Sequence, residues 1–245
     1  MWPKGAPRDG SVPCIATGYG GYSINETPHF LLGDAPLVKR GVCYIDVVLR
    51  GGAEFGADWH AAGMLEHKQN VFDDFAAALA FVAEHKYTRP DRLAIIGGSN
   101  GGLLMGAIIT QHPELVKAVV SRVGIYDMLR VERSANGQYN IPEYGTVANE
   151  SQFKALYAYS PYHHVTRRAY PAILFTAGAN DGRVAPWHSR KMAAALQAAN
   201  TSRAPILMRV STTSGHGSGT DTTEVIDANA QIQAFLLWQL GVRAR

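Results

Sequence analysis

Short apolar runs alternate along the chain with segments in which apolar residues recur at helical spacing. The short runs are rich in β-branched and other apolar residues and end in turn residues, which is typical of buried strands. They predict strands over residues 12–17, 42–49, 93–96, 118–123, 171–176 and 206–210.

Between these strands the apolar period changes to that of a helix. In the clearest case four apolar residues form one helical face: Val71, Phe75, Leu79 and Val82. Asn70 stands where it could cap that helix. Helices are therefore expected over residues 70–86, 99–112, 151–158 and 186–199, with another near the C-terminus.

The alternation of strand and helix predicts an α/β fold. We expect a mostly parallel sheet of about six strands, with helices on both faces, formed by residues 1–245 as a single domain. Residues 126–166 interrupt the alternation with an irregular, aromatic-rich segment. Because this segment is too long for a simple connection, we interpret it as an insertion that shapes a substrate pocket.

Composition narrows the possible functions. The net charge is +3 and no basic run contains interleaved aromatics, so we expect no nucleic-acid partner. No apolar stretch is long enough to span a bilayer, and the N-terminus lacks the apolar core of a signal peptide, so we expect a cytoplasmic protein without membrane contact. Cys14 and Cys43 are expected to be reduced core residues, with a disulfide as the less favoured alternative.

The candidate chemistry begins at Ser99, in a Gly-x-Ser-x-Gly pattern over residues 97–101. The preceding apolar run predicts a strand and the following one a helix, and this context favours a nucleophile on a sharp turn over an incidental serine. Asp181 and His216 each follow a later strand in a glycine-rich turn. The order serine, aspartate, histidine is that of α/β-hydrolases, with the histidine as base and the aspartate orienting it.

Asp127 also follows a strand and is the rival acid. No spacing among the histidines, cysteines and acids is typical of a metal site, so we expect neither a metal nor another cofactor.

Seven short motifs, in order along nearly the whole chain, resemble those of the catalytic domain of the prolyl oligopeptidase family of serine peptidases. They are Gly18-Tyr19-Gly20-Gly21, Arg50-Gly51-Gly52-x-Glu54-Phe55-Gly56, Lys68-Gln69-Asn70-x-Phe72-Asp73-Asp74, Gly97-Gly98-Ser99-Asn100-Gly101-Gly102-Leu103-Leu104, Tyr159-Ser160-Pro161, Asp181-x-Arg183-Val184-x-Pro186-x-His188-Ser189 and Gly215-His216-Gly217.

The resemblance implies a role for several residues. Ser99, Asp181 and His216 match the catalytic triad. The hydroxyl of Tyr19 and the backbone N–H of Asn100 match the two donors to the oxyanion. The remaining candidates concern substrate binding: Arg183, which matches an arginine that contacts a peptide carbonyl, together with Tyr139, Asn140, Tyr22, Ile125 and Val184.

Two departures from the family pattern bear on specificity. The family normally surrounds this domain with a β-propeller and an N-terminal segment, and within residues 1–245 we expect neither the propeller nor the opening strands of the sheet. The family's proline-stacking tryptophan would fall near Asn140, where no tryptophan is present and Tyr139 could substitute only in part. Without the opening strands, residues 42–49 would lie at an exposed sheet edge, where a second copy of the chain could pair to give a homo-oligomer.

We therefore expect a serine hydrolase that acts through an acyl-enzyme. Esters have better leaving groups than amides, and the site is expected to be open with a weakened proline pocket, so small or aryl carboxylic esters are the leading substrates. The alternative is a prolyl oligopeptidase-like peptidase that acts on short peptides. A non-enzymatic scaffold is a third possibility, which the complete set of triad and oxyanion candidates disfavours.

Overall fold

The structure, a computed structural model, describes residues 1–31, 33–217 and 219–242, and their strands form one six-stranded sheet. The strands are β1 (Cys14–Thr17), β2 (Cys43–Asp46), β3 (Leu93–Gly98), β4 (Ala118–Arg122), β5 (Ala172–Gly178) and β6 (Ile206–Ser211). Their order is β2-β1-β3-β4-β5-β6, and neighbouring strands are parallel. The predicted α/β-hydrolase architecture is confirmed.

Helices connect the strands. The α-helices are α1 (Ala35–Lys39), α2 (Ala57–Ala61), α3 (Gln69–Glu84), α4 (Asn100–Gln111), α5 (Ile141–Tyr144), α6 (Glu150–Tyr159), α7 (Trp187–Ala199) and α8 (Thr222–Gln239). Short 3₁₀ turns cover Leu65–His67, Pro90–Arg92, Pro113–Leu115, Val131–Arg133, Gly137–Asn140 and Pro161–His164. The brief helices α1, α2 and α5 were not predicted, because four or five residues are too few to show a helical period.

Two apolar layers cover the sheet, one on each face. Alternate strand residues point to opposite faces, so Cys14 and Ala16 enter one layer and Ile15 the other. Helices α3, α4, α6 and α7 contribute to the first layer, and α1 and α8 to the second. The prediction of helices on both faces is therefore confirmed. None of the helices among the described residues is long and apolar enough to cross a membrane.

Two local predictions differ from the structure. Strand β2 ends at Asp46, well before residue 49, because β1 ends at Thr17 and leaves the following residues without a ladder partner. Helix α3 begins at Gln69, so Asn70 lies inside it and is not the cap. The Asn70 amide donates to the carbonyl of Ala62 instead, which ties α3 to the segment after α2.

The carboxyl ends of the parallel strands meet at one edge of the sheet. Strand β2 lies at one side of the sheet, as expected for residues 42–49, and its Tyr44 exchanges two backbone hydrogen bonds with Met1. Cys14 and Cys43, paired across β1 and β2, are buried free thiols. The loops that follow β1, β3, β5 and β6 carry Tyr19, Ser99, Asp181 and His216, so the fold gathers these residues on one edge.

Candidate active site

Ser99 occupies the sharp turn between β3 and α4. Its backbone is strained, with φ +58° and ψ −118°, a region that side-chain-bearing residues rarely adopt. A Cβ on Gly97 would lie 2.4 Å from the carbonyl oxygen of Gly101, so only glycine permits so tight a turn. The Ser99 N–H donates to the carbonyl of Arg122 at 2.9 Å, which fixes the turn against β4.

A continuous chain of hydrogen bonds joins Ser99, His216 and Asp181. The His216 Nε2 atom lies 3.0 Å from the Ser99 hydroxyl, and Nδ1 lies 2.8 Å from the Asp181 Oδ2 atom. Because a carboxylate only accepts hydrogen bonds, the proton of a neutral His216 belongs on Nδ1, which leaves Nε2 free to accept the serine proton. The arrangement is that of a nucleophile, a general base and an orienting acid.

The Asp181 carboxylate is buried and fully engaged. Its Oδ1 atom accepts the backbone N–H groups of Arg183 and Val184, each at 2.9 Å. Burial, the largest single effect, raises the pKa of Asp181, but the bonds from His216 and from the two amides lower it more, so the pKa lies below its ordinary value. Asp181 is therefore ionised at neutral pH and favours a proton on the facing imidazole nitrogen.

Tyr19 and Asn100 lie beside the serine. Burial raises the pKa of the Tyr19 phenol, while hydrogen bonds with the Ser99 hydroxyl and the Asn100 backbone N–H lower it. The Tyr19 ring lies against the serine turn, since a Cβ at Gly101 would come 3.6 Å from its Cδ2 atom. The Asn100 side chain also donates to the Tyr19 carbonyl at 2.5 Å, so it links the start of α4 to the loop after β1.

The substrate-binding candidates are divided between the site and the protein interior. The Tyr22 hydroxyl donates to the Asn140 side-chain oxygen at 2.7 Å, which brings those two residues together. Arg183 is exposed beside Asp181, and its charge lowers the pKa of Tyr19. Ile125 and Val184 are buried in the apolar layer.

Tyr139 lies apart from the bonded pair of Tyr22 and Asn140. Its side chain is 78% exposed, although the neighbouring Asn140 is buried. The two adjacent residues point in different directions because they lie on a 3₁₀ turn. The Tyr139 ring therefore lies mostly in solvent.

The rival acid Asp127 pairs with groups other than His216, whose carboxylate partner is Asp181. Its carboxylate is 1% exposed and pairs with Lys191, and with Arg130 at 3.2 Å. His163 Nε2 lies 3.9 Å from its other oxygen. No cluster of three His, Cys, Asp or Glu side chains that could hold a metal occurs in residues 1–31, 33–217 and 219–242.

A layer of polar residues that was not predicted from the sequence lies behind the loop that carries Tyr19. Tyr144 donates its hydroxyl to the Asn100 side-chain oxygen at 2.8 Å. Lys68, which is fully buried, donates to the carbonyl of Gly20 and to Glu143, and Glu143 also pairs with His60. Lys68 lies in one of the motifs quoted above, but its partner Glu143 is 75 positions away in the sequence, so no local signal connects the two.

Comparison with known proteins identifies the family to which this chain belongs. The profile of the prolyl oligopeptidase family matches residues 28–243. A prolyl endopeptidase of Elizabethkingia miricola is 39% identical over 242 residues, which are 98% of this chain and 34% of that protein. The chain thus spans about a third of the length of the curated relatives it matches.

Solved structures agree with this match. A chain from a study of two prolyl endopeptidases superposes with a TM-score of 0.95 at 45% identity and covers 98% of this chain and 36% of that one. Oligopeptidase B from Leishmania major superposes with a TM-score of 0.96 at 31% identity, over 100% of this chain and 34% of that one.

These relatives carry the names of peptidases, so they favour the peptidase alternative over the esterase that we expected from the sequence. The resemblance seen in the motifs is confirmed. The chain belongs to the prolyl oligopeptidase family of serine hydrolases.

Proposed function

We propose that the protein hydrolyses short peptides through an acyl-enzyme on Ser99. The observation that carries this proposal is the unbroken chain of hydrogen bonds from Asp181 through His216 to Ser99. We favour peptides over esters as the natural substrates, because the similar proteins are named prolyl endopeptidases and oligopeptidases.

In the acylation step, His216 Nε2 takes the Ser99 proton while Oγ attacks the carbonyl carbon of the scissile bond. The imidazolium that forms is stabilised by the ionised Asp181 and then protonates the leaving amine. Water enters in its place and attacks the acyl carbonyl while His216 takes one of its protons. The bond between the acyl carbon and Ser99 Oγ then breaks, His216 returns the proton to Oγ, and the acid product leaves.

The oxyanion of each tetrahedral intermediate would be held by the Tyr19 hydroxyl and the Asn100 backbone N–H. Both groups lie beside Ser99, and the Asn100 N–H belongs to the first turn of α4, where the helix dipole also favours negative charge. Donors fixed in place before the reaction stabilise the transition state without reorganising, and each is worth about 10²–10³-fold in rate.

Substrate binding would involve Arg183 and the segment 126–166. The exposed guanidinium of Arg183 can donate to a peptide carbonyl next to the scissile bond. The segment 126–166 supplies Asn140 and reaches the loop of Tyr19 through the bond from Tyr22, which supports its role as an insertion that shapes the pocket. Ile125, Val184 and Tyr139 remain further candidates for this pocket.

The pocket should select weakly for proline. A flat aromatic face grips a proline ring, but the position expected for that face holds Asn140, whose side-chain oxygen is bonded to Tyr22. Tyr139 points to solvent. We expect peptides with proline before the scissile bond to be cleaved no more than about tenfold faster than matched alanine peptides, because the contact that would raise this ratio, worth about 1–3 kcal/mol or about 10–200-fold, is missing.

A parallel substrate panel tests the proposal. Wild type and Ser99→Ala are assayed with Gly-Pro and Gly-Ala aminoarylamides and with p-nitrophenyl butyrate. We expect both peptides to be cleaved, ester hydrolysis as a secondary activity of the same machinery, and loss of all three in Ser99→Ala. Ester hydrolysis without peptide hydrolysis would replace this proposal by the esterase, and a fully active Ser99→Ala would reject both.

A second copy of the chain is proposed to pair with the outer edge of β2. Met1 of the same chain already bonds to the N–H and carbonyl of Tyr44 on this edge, so a second copy would pair beyond Tyr44 or displace Met1. Beside it lies an apolar cavity of about 310 Å³, lined by residues that include Trp2, Ile45 and Phe81. Sedimentation at micromolar concentration should show a dimer or a larger species, and a stable monomer would reject the idea.

A cytoplasmic location without a nucleic-acid partner is also proposed. The buried free thiols of Cys14 and Cys43 fit a reducing compartment. Cell fractionation would test the location, and retention on heparin or DNA at physiological salt would contradict the absence of a nucleic-acid partner.

A further inference from the structure

A buried ion pair lies behind the loop that follows β1. The Lys68 side chain is fully buried, and its ammonium group donates to the Glu143 Oε1 atom at 2.9 Å. The second oxygen of Glu143 lies 2.9 Å from His60 Nε2. Lysine is almost never fully buried, and desolvating such a charge costs several kcal/mol, so this pair needs an explanation beyond the filling of space.

The Lys68 ammonium makes two hydrogen bonds and lies over an aromatic ring. Besides Glu143, the ammonium donates to the Gly20 carbonyl at 2.8 Å, and it lies 5.3 Å from the centre of the Tyr144 ring. Burial lowers the pKa of Lys68, while the Glu143 carboxylate raises it. The proposed hydrolysis uses neither charge, because neither side chain belongs to the Ser99, His216 and Asp181 chain.

The loop backbone lies directly on this pair. A Cβ at Gly21 would come within 2.9 Å of both the Lys68 ammonium and the Glu143 Oε1 atom. Gly20 has φ +63°, and a Cβ there would lie 2.3 Å from a methyl group of Val71. The two glycines therefore allow the loop to approach the ion pair more closely than a chain with side chains could.

Two consecutive carbonyls of the loop are linked to helix α5, each through one intermediate side chain. The Tyr19 carbonyl accepts from the Asn100 side chain, which is held in turn by Tyr144. The Gly20 carbonyl accepts from Lys68, which is held in turn by Glu143. These bonds fix the peptide planes on both sides of Gly20, and the first of these planes begins at the Tyr19 Cα atom. The backbone from which the Tyr19 side chain leaves is therefore held on its C-terminal side.

We propose that Lys68 and Glu143 are positioning residues of the oxyanion hole: they hold the Gly20 carbonyl so that the Tyr19 phenol stays within hydrogen-bond distance of the oxyanion. This inference rests on the proposed function, since it assigns Tyr19 to the oxyanion. A donor displaced by about 1 Å can cost about 10²-fold in rate. The ion pair would therefore act on kcat, through Tyr19, and not on substrate affinity.

The test is a double-mutant cycle with Lys68→Met and Tyr19→Phe, assayed on the same peptide. Lys68→Met alone should lower kcat by about 10–100-fold with KM changed by less than about threefold. In the Tyr19→Phe background it should lower kcat by no more than about threefold, because the bond it positions is already missing. Equal losses in both backgrounds, or an unchanged kcat in Lys68→Met, would overturn the proposal.

Lys191→Met is the matched control. It also replaces a lysine that pairs with a buried carboxylate, that of Asp127, whereas the carboxylate that pairs with His216 is that of Asp181. It should lower thermal stability but leave kcat within about threefold of wild type. A kcat loss equal to that of Lys68→Met would show that any broken buried pair has the same effect, and would count against positioning.

Two further variants keep the proposal testable if Lys68→Met does not fold. Gly21→Ala presses on the pair from the loop side, and Glu143→Gln keeps an oxygen for Lys68 but removes the charge. Both enter the same cycle. Gly21→Ala should lose kcat only when Tyr19 is present, and Glu143→Gln should lose less kcat than Glu143→Leu. Additive losses with Tyr19→Phe would overturn the proposal.

Hydrogen exchange separates this inference from the proposed function. If wild type hydrolyses no peptide or ester, the proposed function fails, but the loop can still be examined. The Ser23 and Ile24 amides are bonded within this region, to the carbonyls of Gly51 and Gly21. Glu143→Gln should make them exchange faster while Lys191→Met does not. Unchanged exchange would overturn the role of the ion pair in holding the loop.

Discussion

Replacing Asp181 by asparagine keeps the shape of the side chain and reverses the hydrogen bond to His216. In the native protein Oδ1 accepts the backbone N–H groups of Arg183 and Val184, and Oδ2 faces His216 Nδ1. An asparagine must keep its oxygen toward the two amides, so its NH₂ group faces Nδ1. That nitrogen must then accept, and the imidazole proton moves to Nε2, where it faces Ser99.

The wrong tautomer removes the general base. Nε2 can no longer accept the serine proton, and the imidazolium loses the carboxylate that stabilises it. We expect kcat on a peptide substrate to fall by about 10⁴-fold, which corresponds to about 5 kcal/mol of transition-state stabilisation. KM should change little because neither side chain is assigned to substrate binding.

The assay compares Asp181→Asn with Asp127→Asn under saturating substrate. The control removes the rival carboxylate, which is buried beside Lys191, so it should lower thermal stability while kcat stays within about fivefold of wild type. If Asp181→Asn kept more than a tenth of the wild-type kcat, or if Asp127→Asn lost as much activity, the assignment of the acid would be wrong.

Three further predictions concern the oxyanion, the substrate and stability. Tyr19→Phe should lower kcat by about 10²–10³-fold with little change in KM, and steady-state kinetics would contradict the role of the phenol if kcat were unchanged. Arg183→Ala should raise KM for a peptide by about tenfold but leave p-nitrophenyl acetate unaffected, and equal effects on both substrates would argue against a carbonyl contact. Burial lowers the pKa of His188 from 6.5 to about 3, so the unfolded chain takes up its proton at higher pH than the native chain does. The stability that this provides is complete above about pH 6.5 and is lost as pH falls towards 3, on the order of 5 kcal/mol in all. Denaturant titrations should show this slope reduced in His188→Asn, whose side-chain oxygen can accept the same two backbone N–H groups, and an unreduced slope would contradict the assignment.

The strands of the sheet could be predicted from the sequence, because buried parallel strands are continuous apolar runs. Ile95 and Val119, for example, are wholly buried, as their runs predict. The end of β2 could not be predicted, since it depends on where the partner strand β1 ends and not on the residues after Asp46. The role of Asn70 was misjudged for a similar reason: its partner, Ala62, belongs to a neighbouring segment whose position is set by the tertiary fold.

The candidate site was predictable where the chemistry depends on residue type and order. Ser99, Asp181 and His216 follow strands whose carboxyl ends must meet, so the sequence places them on one edge, and the structure brings them within hydrogen-bond distance. The pairing of Lys68 with Glu143 was not predictable, because Glu143 lies in the irregular segment 126–166, whose path the sequence pattern does not indicate. The direction of Tyr139 was missed because a 3₁₀ turn lacks the periodicity that tells a buried face from an exposed one.

The central claim is that Ser99 is a nucleophile activated by His216. The most direct measurement is the mass of the protein, and of its peptides, after reaction with a fluorophosphonate. Wild type should gain one adduct on the peptide that carries Ser99, while Ser99→Ala should gain none and His216→Ala should react at least about 10³-fold more slowly. An unlabelled wild type, or an adduct on another residue, would contradict the claim.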